Sequence, residues 1–261
     1  MSEAFTMFGA SFTLIMLLMV GLWGIYLFQR NAGIVDLGWG IGFLLAAWAY
    51  FFLGRGDLAK MLIITAMASI WAGRLIYHLY TRYEADKEDP RYARMRDRWG
   101  GDPNDMLFLM MFVFQGLLVV LISIPFFIVD FGSNADWSKW EFIGIVVWFI
   151  GVLGETCADS QLIAFNSDPS NQGKVCQKGL WRFSRHPNYF FESLVWVGFC
   201  LFALPSYGGF FAIVSPIVIL LLLTKVSGIP LAEEQSLATK GELYREYQRT
   251  TSAFFPWFPK R

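Results

Sequence analysis

Histidine and cysteine are nearly missing from this chain, with two His and three Cys in 261 residues. Cys157, Cys176 and Cys200 show no metal-ligand spacing. A zinc site or a di-iron site of the desaturase kind is thereby excluded, and no metal is expected. Also missing are a P-loop and a G-x-G-x-x-G run after a strand, so any nucleotide is held by a site of another kind. No low-complexity tract and no repeat of about 20–50 residues is present. Charged residues make up only 16% of the chain, the formal net charge is +0, and no nucleic-acid partner is expected.

Apolar and aromatic residues take the place of what is absent. The chain is 56% hydrophobic, with 26 Phe and 11 Trp, and its mean hydropathy is +0.46. That is the balance of an integral membrane protein rather than a soluble globule. Seven apolar runs, at about 8–28, 34–53, 61–80, 106–129, 142–163, 189–204 and 209–226, mostly approach the ~20 residues that cross a bilayer. They predict an all-α integral membrane fold. It is a single membrane domain over residues 1–261, a seven-transmembrane-helix bundle with cytosolic loops and a C-terminal amphipathic segment over 227–261. The first run is too long for a signal peptide and lacks an A-x-A-like site, so no cleaved leader is expected.

The 21 Lys and Arg set the orientation. With seven spans and the N-terminus outside, 17 of them face the cytosol, while Arg55, Lys60 and Lys139 lie outside and Arg74 falls within the third span. This bias places the long loops and the C-terminus in the cytosol. The few charges outside and the lack of a disulfide framework favour a bacterial inner membrane over the endoplasmic reticulum. The basic loop between Arg82 and Asp105 reads as a membrane-facing surface.

Polar groups inside spans are costly and are candidates for function. Asp36 lies near the start of the second run, as an interfacial or helix N-terminal carboxylate or as a working acid. Arg74 and His78 are four apart and share one helical face, lining a cavity or snorkelling to the surface. Glu155 and Asp159 repeat that spacing at the end of the fifth run, and such like charges need donors unless the helix end is solvated. Residues 179–192, Gly-Leu-Trp-Arg-Phe-Ser-Arg-His-Pro-Asn-Tyr-Phe-Phe-Glu, concentrate Arg182, Arg185, His186, Asn188, Tyr189 and Glu192 at the mouth of the sixth run. Pro187 suits the first turn of a helix, so free N–H groups, helix dipole and guanidinium converge on an anion there. In the tail, Glu233-Glu234, Tyr244 and Tyr247 precede Phe-Phe-Pro-Trp-Phe-Pro. This is an interfacial helix with an aromatic anchor, or a flap over the cofactor mouth.

The 179–192 stretch, the upstream Asp159-Ser-Gln and the closing Glu-Glu…Tyr-x-x-Tyr…Phe-Phe-Pro-Trp resemble the steroid 5α-reductase superfamily, closest to its bacterial membrane-protein branch. The resemblance is strongest over 150–261 and looser over 30–80. It implies seven helices, a cytosol-facing NADPH site and hydride transfer to the C=C bond of a conjugated ketone. The substrate would be a steroid-like lipid entering from the bilayer. By the same resemblance Asn188 and Glu192 hold the nicotinamide carboxamide. Arg182 and Arg185 hold phosphates. Glu155, Asp159, Asn166, His186, Tyr189, Glu234, Tyr244 and Tyr247 border the rest of the cofactor. Trp71 stands where that family has a substrate-binding Tyr, so the proton donor is sought at Asp36, with His78 or Tyr77 second and Arg74 orienting. Trp39, Phe43 and Trp71 wall the substrate slot. The Arg-His-Pro-x-Tyr and Glu-Glu elements also resemble membrane methyltransferases of the isoprenylcysteine carboxyl methyltransferase kind, which use S-adenosylmethionine. A non-catalytic lipid-binding protein is a third reading, disfavoured because the polar groups cluster at one face rather than midway.

Overall fold

A computed structural model describes residues 2–85, 87–98 and 105–260. It is 78% helix with no strand among the described residues. The helices are α1 (Ser2–Gln29), α2 (Ile34–Leu53), α3 (Leu58–Tyr80), α4 (Pro90–Arg98), α5 (Asp105–Ile122), α6 (Ile124–Gly132), α7 (Lys139–Asn166), α8 (Pro187–Ala203), α9 (Val214–Leu221), α10 (Ile229–Lys240) and α11 (Glu242–Thr250). Five helical stretches are long and apolar enough to cross a membrane: α1, α2, α3, α7 and the run Gly209–Lys240. A sixth forms if α5 and α6, bent by 41°, count as one. The expected seven therefore become five or six by length, because α8 has only 17 residues. The chain divides into two compact units, one of Met1–Ser138 with Ala203–Val214 and one of Lys139–Phe202 with Ser215–Arg261.

In the first unit α2 is central, packed by α1, α3, α5 and α6. Its glycines make that possible. A Cβ on Gly38 would lie 2.3 Å from Leu22 of α1, and one on Gly40 would lie 2.7 Å from Ile76 of α3. Small residues let helices approach closely where lipid offers no hydrophobic push between them. Phe43, Ala46 and Tyr50 fill the seam with Ile64, Ala68 and Trp71, all fully buried. Asp57 starts α3 by accepting from the Lys60 amide at 3.1 Å, as an N-cap. The turn before it is stitched to the end of α6, where the amides of Arg55 and Gly56 donate to the Asp130 carbonyl at 2.8 Å.

The segment before α5, read from the sequence as a membrane-facing basic surface, holds a short helix. Asp89 accepts from the Arg91 amide at 2.8 Å and Pro90 opens the helix, a cap followed by proline at the first position. The Asn31 amide bonds the carbonyl of Glu84 at 2.8 Å, and Arg96 pairs with Glu88 at 2.5 Å. The segment thus docks on the α1–α2 turn.

The second unit is built on α7 and α8, which run antiparallel in close contact. A Cβ on Gly151 would sit 2.7 Å from the Val195 amide nitrogen, and one on Gly198 would sit 2.6 Å from the Trp148 backbone. Phe142, Val146, Phe149 and Leu153 form an exposed apolar stripe along α7, while Trp148, Glu155 and Asp159 face inward. Apolar outside with polar inside is what a membrane helix requires. The chain is accordingly a membrane protein by its helices.

Gly151→Ala and Gly198→Ala should each force backbone apart and cost about 1–3 kcal/mol. Gly73→Ala, with nothing within 4 Å of the new Cβ, should be neutral or mildly stabilising. Thermal midpoints of the purified variants in detergent check this contrast.

Candidate functional site

Unit two presents the 179–192 stretch as a turn followed by a helix. The turn is a 3-10 segment at Gly179–Arg182. Gly179 has φ +58, which suits glycine, and a Cβ there would strike Gln161 at 2.3 Å. Gln161 instead accepts from the Leu180 amide at 2.8 Å, and the Trp181 indole donates to the Ala158 carbonyl at 2.9 Å. The turn is thereby fastened to the last turns of α7. From the tail, the Tyr247 hydroxyl reaches the carbonyls of Trp181 and Ser184.

Arg185 is the knot. Its Nε donates to Glu233 at 2.7 Å and its Nη1 to the carbonyls of Gln248 and Thr251. Glu233 also accepts from Gln248 at 2.8 Å and lies 3.3 Å from His186 Nε2. The His186 ring stacks on Tyr189, centroids 5.3 Å apart. Tyr244 is buried beside this knot, and burial, then the Glu233 charge, lifts its phenol to about 12. Tyr247 is pushed up in the same sense, first by burial. Both therefore stay neutral donors at ordinary pH. Arg185, expected on a phosphate, instead braces the start of α8 against the tail. Glu234, the acidic residue singled out from the sequence, is exposed, and its neighbour Glu233 makes the contacts. Leu237, one turn beyond Glu233, was the legible sign of the inward face.

Deeper between α7 and α8, Glu155 and Asp159 are buried. Asn188 Nδ2 donates to Asp159 at 3.2 Å, supplying one donor that the pair of like charges needs. Glu192 accepts from the Trp196 indole at 2.8 Å. The Asn188 Oδ1 is buried and has no hydrogen-bond partner among the described residues. Arg182 is exposed. Asn166 lies elsewhere, on a cavity of about 300 Å³ lined with Asp168, Gln172, Lys174 and Lys240.

Unit one holds a second constellation. Asp36, in the first turn of α2, accepts from Arg91 Nη2 at 2.8 Å and from the Tyr92 hydroxyl at 2.5 Å. Arg91 also grips Asp89 at 3.0 Å. Burial disfavours the Arg91 charge, yet Asp36 holds its guanidinium above its usual range. Burial, then the Asp36 charge, pushes the Tyr92 phenol well up. Asp36 is thus an acceptor served by α4, where the sequence suggested a neutral acid oriented by Arg74. Sequence reasoning passed over Arg91 and Tyr92, although Asp89-Pro90 marked a helix start. His78 lies 3.3 Å from Arg82, and Tyr77 is 71% exposed on the outer face of α3. Trp39, Phe43 and Trp71 do meet, with ring centroids 5.4 and 5.2 Å apart in succession. Phe43 and Trp71 are fully buried, which makes them α2–α3 core, and only Trp39 keeps accessible surface.

A family profile described as "Protein of unknown function (DUF1295)" matches residues 22–251. A protein of Schizosaccharomyces pombe, described as uncharacterized, is 26% identical over 269 residues, covering 90% of this chain and 75% of its own length. No solved structure matches.

Replacing Glu233 with Gln strands the Arg185 charge in a nearly dry setting, which costs about 3–5 kcal/mol when a buried pair is broken. Glu234→Gln, on the exposed side, should leave the thermal midpoint unchanged. Equal midpoints for the two variants would contradict the role assigned to Glu233.

Proposed function

We propose, for a chain that belongs to the DUF1295 family, an NADPH-dependent reductase that adds a hydride to the C=C bond of a conjugated ketone on a steroid-like lipid. The family includes steroid 5α-reductase-like proteins, which supports the class. The bundle would have seven spans, with α8 as the short sixth. Its N-terminus would lie outside and its C-terminus in the cytosol of a bacterial inner membrane, as the Lys and Arg distribution favours.

The buried Asn188 Oδ1 is the observation that carries the reading. A buried acceptor without a partner is costly, about 1–3 kcal/mol, and a carboxamide NH₂ is the matching donor. Glu192, four residues on, offers a second acceptor on the same helical face. The exposed Arg182 guanidinium suits a diphosphate. These residues fit a nicotinamide dinucleotide, which when bound supplies the hydride. Arg185, His186, Tyr244 and Tyr247 set the shape behind that site.

Reduction of an enone leaves negative charge on the ketone oxygen, and a hydrogen-bond donor in a dry site stabilises it. Tyr92 meets that requirement better than Asp36. Its phenol is buried and protonated at neutral pH, and the one proton, which it donates to Asp36 at 2.5 Å, would turn to the ketone oxygen when substrate binds. Arg91, 5.5 Å from the Tyr92 ring, offsets the charge left when the proton moves. The proton ends on the substrate, and water restores it to the phenol. Trp39 and exposed apolar faces suit a lipid substrate entering from the bilayer.

The Arg185–His186–Glu233 knot joins the two elements shared with isoprenylcysteine carboxyl methyltransferases, which makes S-adenosylmethionine the second reading. Thermal midpoints with NADPH and with S-adenosylhomocysteine separate the two. At a hundredfold excess over Kd, NADPH should raise the midpoint by roughly 5–10 °C. Asn188→Ala should lose that rise. A shift with S-adenosylhomocysteine alone would sink the reductase. Tyr92→Phe should keep the NADPH shift while kcat on an enone falls by about 10²–10³.

A further inference from the structure

The α5–α6 stretch breaks inside the apolar part of unit one. Pro125 has no N–H to give the Leu121 carbonyl, and α6 leaves α5 at 41° from a pivot at Ser123. Within α6, Asp130 is fully buried, and neither of its carboxylate oxygens has a hydrogen-bond partner among the described residues. The hydroxyls of Ser11 on α1, Tyr50 on α2 and Thr65 on α3 are also buried, with no well-formed hydrogen bond among the described residues. The Tyr50 ring packs on Phe127 of α6, centroids 5.5 Å apart, and Phe127 in turn meets Phe8 of α1 one turn before Ser11. A Cβ on Gly54 would lie 2.6 Å from the Asp130 carbonyl, so the Tyr50 hydroxyl, Ser11, Ser123 and Asp130 share one region. Thr65 lies opposite Tyr50 in the antiparallel α2–α3 register, in which Phe43 meets Trp71 and Gly54 meets Met61. Four helices thus bring oxygen groups to one level of an otherwise apolar bundle.

The neighbouring charges are committed elsewhere. Lys60 of α3 donates to the Asp136 carbonyl at 2.6 Å and lies over Trp137. Asp57 caps α3, and Glu3 of α1 pairs with Arg55 at the surface. Asp36, Arg74 and His78 belong to the opposite ends of α2 and α3, and α5 carries no ionisable side chain after Asp105. A lone carboxylate in such a place is expensive unless its charge is neutralised. All the donors are oxygen, with one carboxylate and no His or Cys, which suits a hard monovalent cation. A divalent ion would leave net charge behind. A broken helix beside a carboxylate is also how membrane proteins build sites for sodium ions and protons.

We propose that Asp130, with Tyr50, Ser11, Ser123 and Thr65, forms a binding site for a single monovalent positive charge, a sodium ion or a proton. The occupant ties α6 to α1, α2 and α3 and stabilises the bent span. This site is independent of the proposed cofactor.

The test is the thermal midpoint of the whole protein in detergent, wild type against Asp130→Asn, in two series. One replaces choline with sodium at constant ionic strength and neutral pH. The other raises pH from about 6 to about 9 without sodium. If sodium is the occupant, the wild-type midpoint climbs saturably by roughly 2–4 °C. If the proton is, the midpoint falls by a similar amount as pH rises. In either case Asp130→Asn is flat where the wild type moves, and Tyr50→Phe, which removes a ligand for sodium and a donor to the carboxylate, shifts the titration to higher sodium or higher pH. A wild type that moves in neither series, or variants that track it in both, overturns the proposal. The wild type alone supplies an overturning result even where a variant fails to fold.

Discussion

Arg185 keeps its charged head almost out of water, where an isolated charge would cost several kcal/mol. That cost is met by Glu233 and by backbone carbonyls of the tail, and the turn, the start of α8 and α11 meet around the exchange. The 3-10 turn at Gly179–Arg182 presents Arg185 to the tail, Pro187 opens α8 one step later, and α11 returns Tyr244 and Tyr247 to the same point. Because the carbonyls belong to residues 248 and 251, the guanidinium holds the backbone of the tail and not merely a side chain. The tail is therefore part of the site's wall rather than a solvated end. Asn188 and Glu192 inherit their direction from this joint, since they lie in the first two turns of the helix that it anchors.

Asp36 plays the corresponding part in unit one. Two donors from α4 converge on it, and the Glu88–Arg96 pair and the Asn31 amide hold α4 in place. A short, highly charged helix has little intrinsic stability, since a helix of nine residues is marginal alone. Its order comes from these long-range contacts. The result is a phenol placed beside a carboxylate, held there by the docking of α4 on the start of α2.

The glycines show how much of the packing rests on absent side chains. Helices in lipid gain little from burying apolar surface against each other, so shape and close approach decide the contact. Gly38 and Gly40 admit two different neighbours to α2, and Gly151 and Gly198 bring α7 and α8 together at backbone distance. The polar faces of α7 and α8 lie next to that contact, which is how Asn188 reaches Asp159.

The sequence by itself determined the helical membrane character, the ends of α2, and the helix start at Pro187 that carries Asn188 and Glu192. Hydropathy runs and the Arg-His-Pro-Asn-Tyr element are local, and local patterns survive in the fold because bilayer thickness and helix geometry act on consecutive residues. Only the tertiary structure decided that Arg185 braces the tail, that Glu233 rather than Glu234 meets it, that Tyr92 reaches Asp36 from a segment read as a membrane-facing surface, and that Asp130 is buried within electrostatic reach of Tyr50. Each of these joins residues 48 or more positions apart, or depends on which side of a helix faces inward. No spacing rule carries such information, because it is set by how the helices pack and by which buried charge most needs a partner.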